Sequence, residues 1–249
     1  MPSMENRVKV LVVGCSSGVG LQTTKKLLEK NERFEVVGLV RNQEKAVQAI
    51  GEESGRVKFI KGDISHVETL GPACNGVDAV ICTVGATVGW RLPGSNANTP
   101  KNCDYLGVKN LSEVAAQAKV PKFVLVSSIA VTRPWFPVAL FLNTAFGNVL
   151  QWKLKGEDCL RQAYKQQSNL SYNIVRPGGL TNKKGGTKQI LVDQGDKCSG
   201  MITREDVATV VVACVEGKAA PNSTFEAVNG DKEGGLDLER LATLVPDQV

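Results

Sequence analysis

The stretch Val12-Val13-Gly14-Cys15-Ser16-Ser17-Gly18-Val19-Gly20 places glycines at the first, fifth and seventh positions of a GxxxGxG turn, after an apolar β-branched run and before a helical pattern. Such a turn binds anions, because helix-initial amides face a ligand that no side chain keeps away. Gly14 permits the sharp turn, Gly18 lets a pyrophosphate reach the amides, and Gly20 permits close packing of the helix on the sheet, with Val19 between them. The segment from Gly14 to Gly20 is therefore expected to bind a dinucleotide. At the end of the second strand an NAD site needs an acid for the ribose hydroxyls, whereas this chain has Arg41. A guanidinium there, with the hydroxyls of Ser16 and Ser17 nearby, suits a 2′-phosphate, and the expected cofactor is NADP(H).

The remaining reactive side chains give little support to other chemistries. His66 is the only histidine, and its place in Ile64-Ser65-His66-Val67 suits helix capping or adenine contact. One histidine and seven scattered cysteines without a CxxC pair provide no metal site and no histidine-based triad. Ser127 and Ser128 lack the GxSxG setting of a hydrolase nucleophile. Cys15 lies inside the phosphate turn, where helix amides could lower a thiol pKa, but a small residue filling a tight turn is the simpler account. Lys183, Lys184 and Lys188, set among Gly185, Gly186 and Thr187, read as a solvated basic loop.

The elements that must hold these residues follow from the apolar pattern. Strands are expected at Val8 to Val13, Phe34 to Val40, Val57 to Lys61, Ala79 to Val84, Phe123 to Ser127, Tyr172 to Arg176 and Thr224 to Val228. Helices are expected at Gly18 to Lys30, Glu44 to Ile50, Val67 to Cys74, Cys103 to Ala118, Val149 to Gln166, Arg204 to Glu216 and Asp237 to Leu244. Continuous apolar strands alternating with helices imply an α/β single-domain Rossmann-type doubly wound parallel sheet over 1–249. Its nucleotide half covers about 1–128 and its substrate-facing half about 129–249. The polar segment from Thr181 to Gly200 is expected to be a binding loop, and a long Gly/Asn/Pro-rich connection follows the fourth strand.

Ordinary apolar and charged fractions, 42% and 22%, exclude a disordered chain. The formal charge of +5 is dispersed rather than blocked, so a nucleic-acid partner is not expected. No stretch approaches the ~20 apolar residues of a membrane span. The polar start, Met1 to Lys9, carries no leader pattern, which favours the cytoplasm, with plastid stroma the alternative if a transit peptide has been trimmed. A monomer or weak homodimer is expected. The aromatic run from Arg133-Pro134-Trp135-Phe136-Pro137 through Phe146 to Trp152 could wall a planar, apolar acceptor, dock a protein partner, or simply cover the sheet edge.

Gly62-Asp63-Ile64 after the third strand, Val84-Gly85 after the fourth and Arg176-Pro177-Gly178-Gly179-Leu180 after the sixth, together with the glycine turn, resemble the atypical short-chain dehydrogenase/reductases. Asp104-Tyr105-Leu106-Gly107-Val108-Lys109-Asn110-Leu111 and Trp152-Lys153-Leu154-Lys155-Gly156-Glu157 resemble the plant and algal NADP-binding subgroup that includes the NADP-binding domain of the chloroplast protein-import redox component. The resemblance implies that Asp63 and Ile64 border the adenine, Val84 and Gly85 the adenosine ribose, and Pro177, Gly178, Gly179 and Leu180 the nicotinamide side, with Ser127 beside them. It puts Ser128 in the catalytic serine place and Lys155 in the place of the lysine that holds the nicotinamide ribose.

The family's YxxxK motif, counted back from Lys155, has Gln151 where the tyrosine would be. An amide cannot serve as general acid or base near neutral pH. Three routes remain: an acceptor that needs no protein acid, such as a flavin, quinone or conjugated tetrapyrrole; a stand-in such as Tyr105, although packing against the sheet suits Tyr105 better; or no catalysis, the chain reporting NADP(H) state to a partner. The expected function is an NADPH-dependent reductase of a small conjugated acceptor, with a nucleotide-gated sensor or scaffold as the alternative.

Overall fold

Strands that are apolar on both faces belong in the middle layer of an α/β/α sandwich. The computed structural model, which describes residues 7–86, 98–165 and 167–248, has that architecture. Its strands are β1 (Val8–Val13), β2 (Phe34–Val40), β3 (Val57–Lys61), β4 (Ala79–Cys82), β5 (Lys122–Val126), β6 (Ser171–Pro177), β7 (Gly179–Thr181), β8 (Ile190–Asp193), β9 (Met201–Thr203) and β10 (Ser223–Asn229). The α-helices are α1 (Gly18–Glu29), α2 (Gln43–Ile50), α3 (Gly71–Cys74), α4 (Val108–Gln117), α5 (Pro137–Ala145), α6 (Val149–Lys165), α7 (Arg204–Val215) and α8 (Leu238–Ala242).

The main sheet runs β3-β2-β1-β4-β5-β6-β10-β8, parallel throughout except for β8, which pairs antiparallel with β10. Alternate residues of β1 serve the two cores. Val10 and Val12 meet Leu27 of α1 and Val211 of α7 on one side, and Leu11 and Val13 meet Leu111 of α4 and Leu160 of α6 on the other. The order reverses between β1 and β4, and the crevice this opens at the carboxyl ends of the strands is where Rossmann sheets bind ligands.

Four expectations need correction. Val67 to Cys74 is a 3-10 turn at Val67–Thr69 followed by the short α3, because Gly71-Pro72 removes an amide donor and restarts the chain. The fourth strand ends at Cys82, since Thr83 turns to donate both its amide and its hydroxyl to the Val13 carbonyl. Thr181 to Gly200 is not wholly a loop. It contains β8, and β7 and β9 pair across it in a separate two-stranded sheet. The helix from Cys103 begins as a π-helical stretch, Lys101–Gly107, before becoming regular at α4. The Gly/Asn/Pro-rich connection after β4 lies largely outside the described residues, as do most of Met1 to Lys9 and the last residue of the expected Val149 to Gln166 helix.

Candidate functional site

The phosphate turn is built by close approach. Gly14 has φ +96°, a conformation that favours glycine, and a Cβ on Gly20 would lie 2.1 Å from the Gly14 carbonyl oxygen. Only glycine at 20 lets α1 start against the turn. Ser17 is the N-cap of α1 but makes no side-chain capping bond, and the first helical turn holds no acidic residue. Helix-initial amides and the positive end of the helix dipole are thus left for an anion.

Beside this turn lies a groove of about 330 Å³ lined by Gly14, Ser16, Ser17, Arg41, Asp63, Ile64, Val84 and Gly85, all of them residues singled out from sequence. Gly18, Val19 and Gly20 are not in its lining, and Val19 and Gly20 are buried. Asn42, Lys45, Ser65, Thr83, Asn98, Asn102 and Cys103 also line it, over a floor of Val13, Leu39, Val40 and Gly62. Arg41 is 59% exposed, with Nη1 2.9 Å from Asn98 Oδ1 and 3.6 Å from Asp63 Oδ2. Burial works to raise the Asp63 pKa, but hydrogen bonds from the Ser65 hydroxyl and amide, with the Arg41 charge, hold it below the usual carboxylate range. Asn42 caps α2 by accepting from the Lys45 amide, so Lys45 joins Arg41 at a second helix start. The Ile64 carbonyl accepts from Asn110 Nδ2 at 3.0 Å, which ties the turn after β3 to α4.

Next to Gly85, but outside the lining of this groove, lies a charged pair. Lys153 Nζ lies 2.7 Å from Asp104 Oδ1, the Ala86 amide donates to Asp104 Oδ2 at 3.0 Å, and a Cβ on Gly85 would meet both charged groups at 3.3 Å. These two side chains share a void of about 10 Å³ with Val84 and Ser127, whose buried hydroxyl oxygen has no hydrogen-bond partner among the described residues. Ser128 is half-buried and donates to the Ile129 carbonyl at 3.0 Å. The Ser127 amide donates to Val175 and the Ile129 amide to Pro177, which places Pro177 beside Ser128, while Gly179 and Leu180 pass into β7 of the separate two-stranded sheet.

Lys155 and Gln151 are exposed on α6. Lys155 Nζ sits over the Trp152 ring, 4.6 Å from its centroid, and Trp152 stacks on Tyr105. Tyr105 therefore packs against α6 rather than against the sheet. Positions two apart on a helix differ by roughly 200°, so Lys153 and Lys155 cannot face the same groove. The signal that finds Lys153 is the phase of α6: Val149, Leu150, Gly156, Glu157 and Leu160 are buried, and Lys153 falls on their stripe. His66 is exposed, makes no cap with its side chain and lies 3.4 Å from Glu68. Cys15 is buried, and burial pushes its thiol up to about 11, so the turn holds no ready thiolate.

Sheet order, glycine turn and switch-point groove define a Rossmann-fold dinucleotide-binding protein. Residues 14–218 match the NAD(P)H-binding family, and the chain belongs to it. It is 32% identical to sanguinarine reductase of Eschscholzia californica over 95% of this chain and 93% of that protein. It is also 32% identical to the chloroplastic protein TIC 62 of Arabidopsis thaliana over 72% of this chain, which spans only 28% of that protein. The crystal structure of the oxidoreductase ylbE from Lactococcus lactis shares the fold, with a TM-score of 0.73 at 22% identity over 94% of each chain. Among the described residues no helix is long and apolar enough to cross a membrane.

Proposed function

We propose that this chain is an NADPH-dependent reductase of a small, planar, conjugated acceptor of the quinone, flavin or enone type. One observation carries the reading: a buried lysine–carboxylate pair lies next to Gly85 of the groove, near a buried serine hydroxyl with no hydrogen-bond partner among the described residues, and no phenol stands one helical turn before the lysine. Four residues before Lys153 is Val149, a buried core residue. When bound, NADPH supplies a hydride. The turn amides hold its pyrophosphate, Arg41 and Lys45 attract the 2′-phosphate, and Lys153 rather than Lys155 holds the sugar beyond Gly85. Ser127 offers its free hydroxyl to the bound molecule. With no tyrosine in place, the proton comes from water or from the acceptor itself, which suits conjugated acceptors better than simple ketones. The sanguinarine reductase relative supports the reductase class, and the chloroplastic TIC 62 relative supports a plastid location over the cytoplasm.

Calorimetric titration with NADPH, NADP+, NADH and NAD+ tests the cofactor. The phosphorylated pair binds preferentially, and Arg41→Asp weakens it by about tenfold or more, roughly 1.4 kcal/mol. A preference for NADH untouched by that change overturns the NADP(H) assignment. Bound NADPH that no quinone, flavin or enone oxidises removes the reductase.

The second reading, a nucleotide-gated partner module, is favoured by an uncharged run over residues 134–152 that exposes Trp135 (87%), Val138 and Phe141. Under it, a partner's affinity differs between the NADP+ and NADPH forms, and equal affinity excludes it.

A further inference from the structure

We propose that Asp104 is a positioning residue of the cofactor site, which pairs with Lys153 and ties it to the turn after β4 that faces the nucleotide. The inference rests on the reductase reading above for its ligand, but its geometry is independent of turnover. Asp104 is 1% and Lys153 18% exposed in their side chains, and the two carboxylate oxygens are divided between the ammonium and the Ala86 amide. One residue thus fixes both the cation and the backbone beside Gly85.

The local architecture serves that placement. Asp104 sits within the π-helical stretch Lys101–Gly107, a form that is rare and found often at functional sites. A Cβ on Gly156 would stand 2.1 Å from the Asp104 carbonyl oxygen, so glycine there lets α6 come close enough for Lys153 to reach the carboxylate.

The groups facing Lys153 leave Asp104 as its sole close anion among the described residues. The Cys82 thiol of β4 is pushed by burial up to about 11 and is neutral, and Glu157 on α6 is engaged by Arg176 and Arg161. Burial works to lower the Lys153 pKa, yet the Asp104 charge and hydrogen bond hold it above the ordinary lysine range. Without the carboxylate, burial acts unopposed and the lysine gives up its proton far more readily.

The test is Asp104→Asn, which keeps the size and one acceptor oxygen, in the full chain. Two readings are taken: the Lys153 titration in the apoprotein, from NMR of lysine ε-carbons assigned with Lys153→Met, and NADPH affinity by calorimetry at about pH 6 and pH 9. In the unaltered chain, affinity is expected to differ little between the two through this group. In Asp104→Asn, the Lys153 titration moves down, and NADPH binding is near normal at low pH but weaker by about tenfold at high pH. A purely structural role would weaken binding equally at both. An unmoved lysine titration, or equal loss at both pH values, overturns the proposal. If the unaltered chain binds no nucleotide, the functional reading fails and takes the ligand part of this proposal with it, while the apoprotein titration still decides whether Asp104 governs the lysine's charge.

Discussion

Two lysines two positions apart on α6, Lys153 and Lys155, have opposite prospects. Lys155 is exposed over the ring of Trp152, a contact worth about 0.5–1 kcal/mol at a wet site, and Lys155→Ala is expected to leave NADPH affinity within about twofold. Lys153→Met strands the Asp104 carboxylate in the interior and is expected to cost about 3–5 kcal/mol of stability as well as nucleotide affinity. Urea unfolding and calorimetry on both variants check this, and equal effects from the two would contradict the placement of α6. The same contrast applies to glycines. Gly20→Ala forces a Cβ onto the Gly14 carbonyl and is expected to cost at least about 1–3 kcal/mol, whereas Gly55→Ala meets open space and stays within about 0.5 kcal/mol.

At the scale of elements, the placement of Lys153 depends on how closely α6 approaches the π-helical stretch. Gly156→Ala is expected to push α6 outward, lowering stability by about 1–3 kcal/mol and weakening NADPH binding together, with α6 still helical by circular dichroism. Unchanged binding would show that the approach is not needed. The regular strands and the phosphate turn are legible in the sequence because each depends on a local pattern, apolar β-branched runs or glycine spacing. The position of Arg41 in the groove is legible for the same reason: it follows a strand whose end the pattern marks. Lys153 is legible only if the helix phase is given priority over a motif count, since YxxxK spacing applied at Lys155 selects the exposed face. Asp104 lies beyond sequence reading because its partner is 49 residues away and the π-turn that aims it has no local signature. Strand β8 is missed because it is a four-residue edge strand whose pairing with β10 is set by tertiary contacts, not by propensity.

Across the whole molecule, the two halves of the sheet are held differently. Apart from the Asp104–Lys153 pair, the interior around β1, β2 and β4 is almost wholly apolar, whereas β6 and β10 bury charges: Arg176 makes a paired hydrogen bond to Glu157, and Glu226 lies across from it, fully buried, with neither carboxylate oxygen hydrogen-bonded among the described residues. Burial pushes Glu226 up to about 7, against the pull of the nearby Asp196 amide and Arg176, 3.8 Å away. In the unfolded chain a glutamate ionises near its ordinary value of about 4.3. Below that pH both states hold the proton and the group costs nothing. As pH rises toward 7 the unfolded state gives up its proton first, so the stability this group contributes is lost progressively and then stays lost at higher pH. Glu226→Gln removes the titration. The stability of this variant relative to the unaltered chain should therefore climb by about 2–3 kcal/mol between roughly pH 4 and pH 7 and level off above, whatever constant offset the buried amide introduces. Urea midpoints for both proteins across that range measure the difference directly, with the other titrating groups cancelling. Parallel curves would mean that Glu226 is ionised in the folded state at its ordinary pKa, and that Arg176 satisfies two carboxylates at once.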